Sequence, residues 1–415
     1  MNAFQFRDYR FYWCSRLFAT VAQMAMVIVI GWQVYDIARS SLGMSERESA
    51  FQLGLIGLAQ FLPLLVLTPV SGWLIDRIDR RQIARASIAL ELICALTLTF
   101  ATDTGALSLQ LLFVIAALLG VARAFAGPAL QALSPNLVPR EVLPSAVAYG
   151  SIAWQTGAIT GPALGGFLYA YRPDLPYSVS AILFALALMA MFAVRPVKRS
   201  IMTSNTHPLR QMIEGLHYVR HNRIVLGAMS LDLFAVLLGG ATAMLPVYAR
   251  DVLHVGAEGL GQLRAAPSLG AVLIAGLLAW QPLSRRVGVV LIGSVVVFGI
   301  ATIVFGLSTN MPIALAMLAL LGGADMLSVY IRQTLIQLHT PDNMRGRVGA
   351  VSTLFISGSN ELGEAESGFL AAIAGPVVSV VVGGIGAIGI ALAWIRLFPE
   401  LYATQNFDQP DSVDG

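Results

Sequence analysis

The chain has 415 residues, of which 57% are hydrophobic and 12% are charged, and its formal net charge is +3. Soluble domains carry roughly 25% charged residues, so this composition excludes an ordinary soluble domain and favours the lipid bilayer as the solvent of most of the chain. The basic residues concentrate in short loops between apolar stretches, so the positive charge does not indicate nucleic-acid binding.

Twelve apolar stretches follow one another along the chain, each near the ~20 residues that a spanning helix needs. In chain order they are 13–36, 51–75, 83–101, 108–134, 142–171, 176–194, 223–249, 257–281, 287–307, 311–338, 346–373 and 377–398. We therefore predict an N-terminal six-helix half (1–194), a cytoplasmic linker (195–222), a C-terminal six-helix half (223–399) and a cytoplasmic tail (400–415).

The distribution of basic residues predicts the orientation in the membrane. If the N-terminus is cytoplasmic, the outer loops carry only Arg39, Arg47, Arg172 and Arg250, and most other basic residues lie in the inner loops and tails. This bias predicts that both termini lie in the cytoplasm. The first residues show no signal-peptide pattern, so we expect the first helix to be permanent. In the linker, apolar residues at helical spacing over 209–221 predict an amphipathic helix on the inner membrane surface.

A weak internal repeat supports the division into halves. A shift of 202 residues aligns Pro139 with Pro341 and Gly161 with Gly363, so the fourth and fifth stretches match the tenth and eleventh. Two similar halves suit a transporter whose substrate site lies between them near the midplane of the bilayer.

The loop after the second stretch reads GWLIDRIDRR over 72–81. It resembles the GxLxDRxGRR signature of the major facilitator superfamily, which implies an all-α membrane protein with twelve transmembrane helices in two pseudo-symmetric six-helix halves. Asp79 stands where the family usually has glycine, so the tightness of this turn is open. The resemblance implies that the loop is a conformational latch formed by Gly72, Asp76, Arg77, Arg80 and Arg81.

The fifth stretch reads GAITGPALGG over 157–166. It looks like the GxxxGPxxGG motif associated with exporters of the same superfamily. Small residues four positions apart form a groove for a neighbouring helix, and proline loosens the backbone where bending is needed. The helix-packing residues are Gly157, Gly161, Pro162, Gly165 and Gly166.

Two further strings, RAFAGPALQAL in the fourth stretch and GSNELGEAESG over 358–368, narrow the resemblance. They are similar to the bacterial branch that includes the enterobactin exporter and its relatives, also called transmembrane secretion effectors. That resemblance implies a proton-coupled inner-membrane exporter of siderophores or hydrophobic drugs.

Ionisable residues inside spanning stretches are functional candidates because they are costly there. Arg123 and Asp325 occupy the same place in the repeat, so we expect both to face a shared cavity. The alternative is that each pairs within its own half, with Arg332 as one partner of Asp325. Arg16, Asp232 and Arg264 lie near the ends of their stretches, where snorkelling or capping explains them.

Glu361 and Glu364 lie one turn apart on the eleventh stretch, where mutual repulsion and burial favour protonation. We predict that this pair carries the coupling proton, with Ser357 and Asn360 in support. The alternative is that both glutamates bond polar groups such as Gln52 or Gln60. The substrate and proton-coupling residues are thus Arg123, Asp325, Arg332, Ser357, Asn360, Glu361 and Glu364.

Together these features predict a secondary active transporter that exports a small organic solute by proton antiport through alternating access. The alternatives are a proton-coupled importer and a lipid flippase. The sequence has no GxxxxGK[ST] loop, HExxH or GxSxG, which argues against ATP hydrolysis and membrane enzymes. We expect a monomer among membrane lipids, with a small-molecule substrate and protons as partners and no cofactor or metal.

Overall fold

The computed structural model describes residues 3–139, 142–196, 208–281, 283, 285–341 and 344–407. Inside these ranges it describes the backbone alone at 69, 72, 73, 76, 144, 147, 148, 151, 208–211, 241, 279, 345, 346, 350, 353, 357 and 361. All the long elements in this part of the chain are helices.

Contacts divide the chain into two compact units. The first unit contains Met1–Asn205 together with Pro246–Ala265, and the second contains Thr206–Leu245 and Ala266–Gly415. The division differs from the two halves predicted from the sequence, because Pro246–Ala265 joins the first unit.

The first unit contains six long helices. They are α1 (Arg7–Asp36), α2 (Glu46–Arg77), α3 (Arg80–Asp103), α4 (Leu109–Leu133), α5 (Leu143–Tyr171) and α6 (Leu175–Ala193). Helix α1 packs against α5 and α6, α2 packs against α4, and α3 packs against α4 and α6.

The remaining helices start with the linker. They are α7 (Pro208–His221), α8 (Arg223–Leu238), the short α9 (Leu245–Val247), α10 (Gly256–Trp280), α11 (Val287–Leu307), α12 (Met311–Leu338), α13 (Arg345–Ala374), α14 (Pro376–Leu397) and α15 (Pro399–Ala403). Within the second unit, α11 packs between α12 and α14, and α8 packs against α13 and α14.

Polar residues in the loops start several helices by satisfying free backbone N–H groups. At α2, Ser45 and Glu48 form a capping box. The Ser108 hydroxyl accepts from Leu111 N at 3.2 Å at the start of α4. The side-chain oxygen Oδ1 of Asn222 accepts from Val225 N at 3.1 Å at the start of α8.

Ten helical segments in the described part of the chain are long and apolar enough to cross a membrane. Two further long helices, α5 and α13, include positions where only the backbone is described. The chain is a multi-pass membrane protein, and its all-helical fold agrees with the prediction.

The linker forms the expected helix, α7, which rests on the start of α13. Val219 is fully buried there, and Glu214 pairs with Arg347 at 2.8 Å. Ile213 and Leu216 stay exposed on α7, so the helix is amphipathic. This surface would suit contact with lipid headgroups and acyl chains.

Candidate functional site

The loop between α2 and α3 is fixed by Asp79. Its carboxylate caps α3 by accepting from Arg81 N at 3.0 Å, and it also pairs with the Arg81 guanidinium. The backbone φ of Asp79 is −60°, which any L-residue adopts without strain. Aspartate therefore replaces the family glycine without loss of the turn, because this conformation does not require glycine.

The arginines of this loop bind the carboxyl ends of other helices in the first unit. Arg80 donates to Ala132 O at 2.8 Å near the end of α4, and Arg81 donates to Val194 O at 3.1 Å just after α6. Arg85, one turn beyond Arg81 on α3, donates to Met191 O at 3.1 Å. Cations at helix C-termini are favourable because the last carbonyls lack partners.

The latch proposed for this loop stays a prediction. At Gly72 and Asp76 the structure describes the backbone alone, and Arg77 is exposed. Arg80 and Arg81 tie α3 to the ends of α4 and α6, so they hold the first unit together.

We expect Asp79→Ala to destabilise the protein by about 1 kcal/mol, because it removes the cap of α3. The Arg81 hydrogen bond lowers the pKa of Asp79, so its charge stabilises the fold at neutral pH and this contribution is lost as the pH falls through the lowered pKa. Asp79→Asn keeps a capping oxygen and serves as the control. The measurement is the midpoint temperature of thermal unfolding in detergent. This temperature should be higher for the wild type than for Asp79→Asn at neutral pH, and the two values should converge in acid. A difference that grows in acid would contradict the assignment.

The glycines of α5 form a groove filled by α1. A Cβ at Gly157 would lie 2.5 Å from Thr20 Cγ2, and one at Gly161 would lie 2.6 Å from Met24 Cβ. At Gly165 it would lie 2.9 Å from Ala25 O. Since real Cβ atoms essentially never come so close, α1 and α5 can approach this closely only where these residues are small.

Gly166 faces a different neighbour from the other motif glycines. A Cβ at Gly166 would lie 2.6 Å from Gly261 Cα in α10. Gly261 belongs to the stretch Pro246–Ala265 that joins the first unit. The motif thus joins α5 to α1 along one face and to the start of α10 at Gly166.

A cluster of charged residues, which we call the reciprocal cluster, joins the end of α1 to this same stretch. Two π-helical turns carry it, Ile37–Ser41 and Tyr248–Val252. Each turn has a fully buried alanine, Ala38 or Ala249, followed by an arginine. The cluster contains Tyr35, Asp36, Arg39, Ser40, Arg250 and Asp251.

Each of the two arginines lies near an aspartate of the other segment. Arg250 pairs with Asp36 and donates to Ser40 Oγ at 2.7 Å. In the other direction, Arg39 Nε lies 3.5 Å from Asp251 Oδ2, and the Tyr35 hydroxyl also donates to Asp251. Arg39, Asp251, Arg250 and Asp36 are 20–38% exposed. Such pairs are individually weak, but here they form a network.

We expect Arg250→Gln to loosen Tyr248–Val252 from α1 by about 1 kcal/mol, which corresponds to roughly fivefold faster amide hydrogen exchange in that turn. The matched control is Arg172→Gln, which removes an exposed arginine from its 2.9 Å pair with Asp174. The control should leave exchange in Tyr248–Val252 unchanged. Equal effects of the two substitutions would show that the reciprocal cluster does not hold this turn.

In the interior of the first unit, Arg123 of α4 lies beside Glu91 of α3. Glu91 is 3% exposed and interacts electrostatically with Arg123. One carboxylate thus faces one guanidinium. Arg123 therefore has a charged neighbour within its own unit, which agrees with the alternative that it pairs within its own half. Its exposure to a shared cavity stays a prediction.

In the second unit, Arg332 pairs with Asp232 and not with Asp325. Asp232 and Arg332 are 8% and 5% exposed, and Arg332 Nε also lies 3.4 Å from Ser328 O. The explanation of Asp232 as a residue at a helix end is therefore wrong: it lies within α8 and is buried. Only the position of α12 beside α8 reveals this pair, because 99 intervening residues separate its members in the sequence.

Asp325 lies two turns before Arg332 on α12 and has both Asp232 and Arg332 as electrostatic neighbours. Asp232 and Asp325 line one small space together with Ser294 and Ser328. A second small space lies against Asp232 and Arg332 and is lined by Gln333 and Ser352. Asp232 lines both spaces.

The predicted proton pair on α13 is only partly visible. The side chains of Glu361 and Ser357 lie outside the described residues, Asn360 is exposed and Glu364 is partly buried. Gly363, on the same helix, lies close to α8, since its Cβ would be 2.8 Å from Val236 O. The role of Glu361 and Glu364 stays a prediction.

Buried charged groups within apolar helices of both units are features of a membrane transporter. The family model of the Major Facilitator Superfamily matches residues 12–363. The chain belongs to this superfamily, and it is a transporter and not an enzyme.

The relatives agree with the predicted branch. The chain is 29% identical over 386 residues to the enterobactin exporter EntS of Citrobacter koseri, covering 89% of this chain and 88% of that protein. The fold resembles an inward-facing bacterial homologue of the human lysosomal transporter Spinster, with a TM-score of 0.73, 16% identity and coverage of 95% and 98%. It also resembles a D-xylose-proton symporter, with a TM-score of 0.73, 14% identity and the same coverage.

Proposed function

We propose that the chain exports a small organic solute of the siderophore class in exchange for protons. The observation that carries this proposal is the similarity to a protein named enterobactin exporter over 89% of the chain. The exporter-type motif on α5 is consistent with it, since its glycines seat α1 and the start of α10.

Exchange with protons is supported by the ionisable groups inside the spanning helices. Glu91, Asp232 and Asp325 are carboxyl groups within apolar helices, where a charge is costly unless it is paired or protonated. A carboxyl group that alternates between two protonation states can link proton movement to a change of conformation.

The proposal includes a location in the bacterial inner membrane, which the similarity to the enterobactin exporter supports. The orientation with both termini in the cytoplasm rests on the distribution of basic residues. Under this orientation the loop around Asp79 faces the cytoplasm and the reciprocal cluster lies at the outer end of α1.

The direct test is transport by the purified protein in proteoliposomes loaded with enterobactin. For molecules whose cytoplasmic face points into the lumen, we expect release of enterobactin when the bath is acidic relative to the lumen, with protons moving from the bath into the lumen. A protonophore should remove this dependence. Counterflow in oriented vesicles distinguishes the alternatives: uptake coupled in the same direction as protons would show an importer, and lipid translocation without solute flux would show a flippase.

A further inference from the structure

At one place in the interior of the second unit, acidic side chains outnumber basic side chains. Asp232 and Arg332 form a buried ion pair between α8 and α12. One carboxylate neutralises the guanidinium, whose Nε also lies 3.4 Å from Ser328 O. Arg332 is therefore already engaged by a carboxylate other than Asp325.

Asp325 adds a second carboxyl group to this pair. Its electrostatic neighbours are Asp232, which repels its charge, and Arg332, which attracts it. With both carboxyl groups ionised, the three side chains carry one net negative charge inside a membrane-spanning unit. Binding of one proton makes the group neutral, and an unpaired charge in such surroundings is costly.

The first unit provides an internal comparison. There, Arg123 of α4 interacts electrostatically with Glu91 of α3. The second unit differs because Asp325 stands beside an ion pair that already contains a carboxyl group.

The space beside Asp325 has polar groups on part of its wall. Asp232, Asp325, Ser294 and Ser328 line it together with five apolar residues, and a second space lies against the Asp232–Arg332 pair. A water molecule bonded to such polar groups would exchange a proton with the buried acid. The proton would pass between water and one Oδ of Asp325, with no other bond changed.

Among the side chains that the structure describes, the helices packed around this group contribute no further charge to the two spaces. Asp232, Asp325 and Arg332 are the charged residues among those that line them in the described part of the chain. Helix α11 contains no ionisable residue, and Arg396 lies in the last turn of α14. On α13, Arg347 pairs with Glu214, while Glu364 and Glu366 do not line either space.

We infer that Asp325, beside the Asp232–Arg332 ion pair, is the site that binds and releases the exchanged proton. This inference rests on the proposed proton exchange and names its site. It places the proton on α12, whereas the sequence alone favours Glu361 and Glu364 on α13.

The experiment is pH-induced infrared difference spectroscopy of the full-length protein in lipid, which needs no substrate. We expect the wild type to show the C=O band of a protonated carboxyl group that Asp325→Asn lacks. The matched controls are Glu91→Gln, Glu364→Gln and Glu361→Gln, each of which should keep that band. Its retention in Asp325→Asn, or its loss in any of the three controls, would overturn the assignment.

A conservative variant covers the case in which Asp325→Asn does not fold. Asp325→Glu keeps a carboxyl group, so the band should persist at a shifted frequency; an unshifted band would assign it to another residue. Enterobactin release from proteoliposomes is a separate measurement. If wild type releases none, the proposed function fails while the infrared result still decides the proton site. If Asp325→Asn keeps the wild-type pH dependence of release, the inference fails.

Discussion

Arg332→Met should destabilise the second unit by about 3–5 kcal/mol, because it removes the base from a buried ion pair and leaves Asp232 facing Asp325. Two carboxyl groups would then share an apolar interior without a cation. The loss can be measured as a lower midpoint of thermal unfolding of the detergent-solubilised protein.

Asp232→Asn is the matched control, and it should destabilise the second unit less than Arg332→Met does. Removing this acid leaves Arg332 beside Asp325, which can take over as its partner. The double variant with both substitutions retains only Asp325 and should also be more stable than Arg332→Met alone. Equal losses of stability for the two single variants would mean that Asp325 does not interact with the charges of Asp232 and Arg332.

Gly270→Ala should destabilise the second unit by about 1–3 kcal/mol, because the added methyl group overpacks the contact between α10 and α12. A Cβ at Gly270 would lie 1.7 Å from Ala319 O, and one at Gly322 would lie 1.9 Å from Pro267 O. These two glycines set the closest approach of α10 and α12, and backbone atoms cannot yield as a flexible side chain would. Thermal unfolding in detergent measures the loss.

Gly276→Ala on the same helix is the control for Gly270→Ala. A Cβ at Gly276 meets nothing within 4 Å. Since glycine inside a helix is less stable than alanine by roughly 0.5–1 kcal/mol, this control should be neutral or slightly stabilising. If both variants unfold at the same temperature, the packing explanation is wrong.

The helices and the fold could be predicted because they depend on local composition. Apolar length predicts each spanning helix, and the linker helix α7 follows from the spacing of its apolar residues. The loop after α2 identifies the family. The role of Asp79 could have been predicted as well, since aspartate is a preferred residue at the start of a helix.

The charged site was less predictable because it depends on which helices are neighbours. Position along a stretch suggested that Asp232 lies near a helix end, but only the packing of α8 against α12 brings it to Arg332. The repeat aligns Arg123 with Asp325 but does not reveal the carboxyl groups beside each of them. Such tertiary pairs leave no pattern in the sequence around either member.

The inclusion of Pro246–Ala265 in the first unit has a consequence for the order in which the protein is made. Helix α6 ends at Ala193, so a ribosome that adds roughly 5–20 residues per second needs further seconds to reach Pro246. Until then, the end of α1 lacks the partners of Asp36 and Tyr35, and Gly166 lacks Gly261. The first unit is thus completed only after α8 has been synthesised, so the two units cannot mature strictly one after the other.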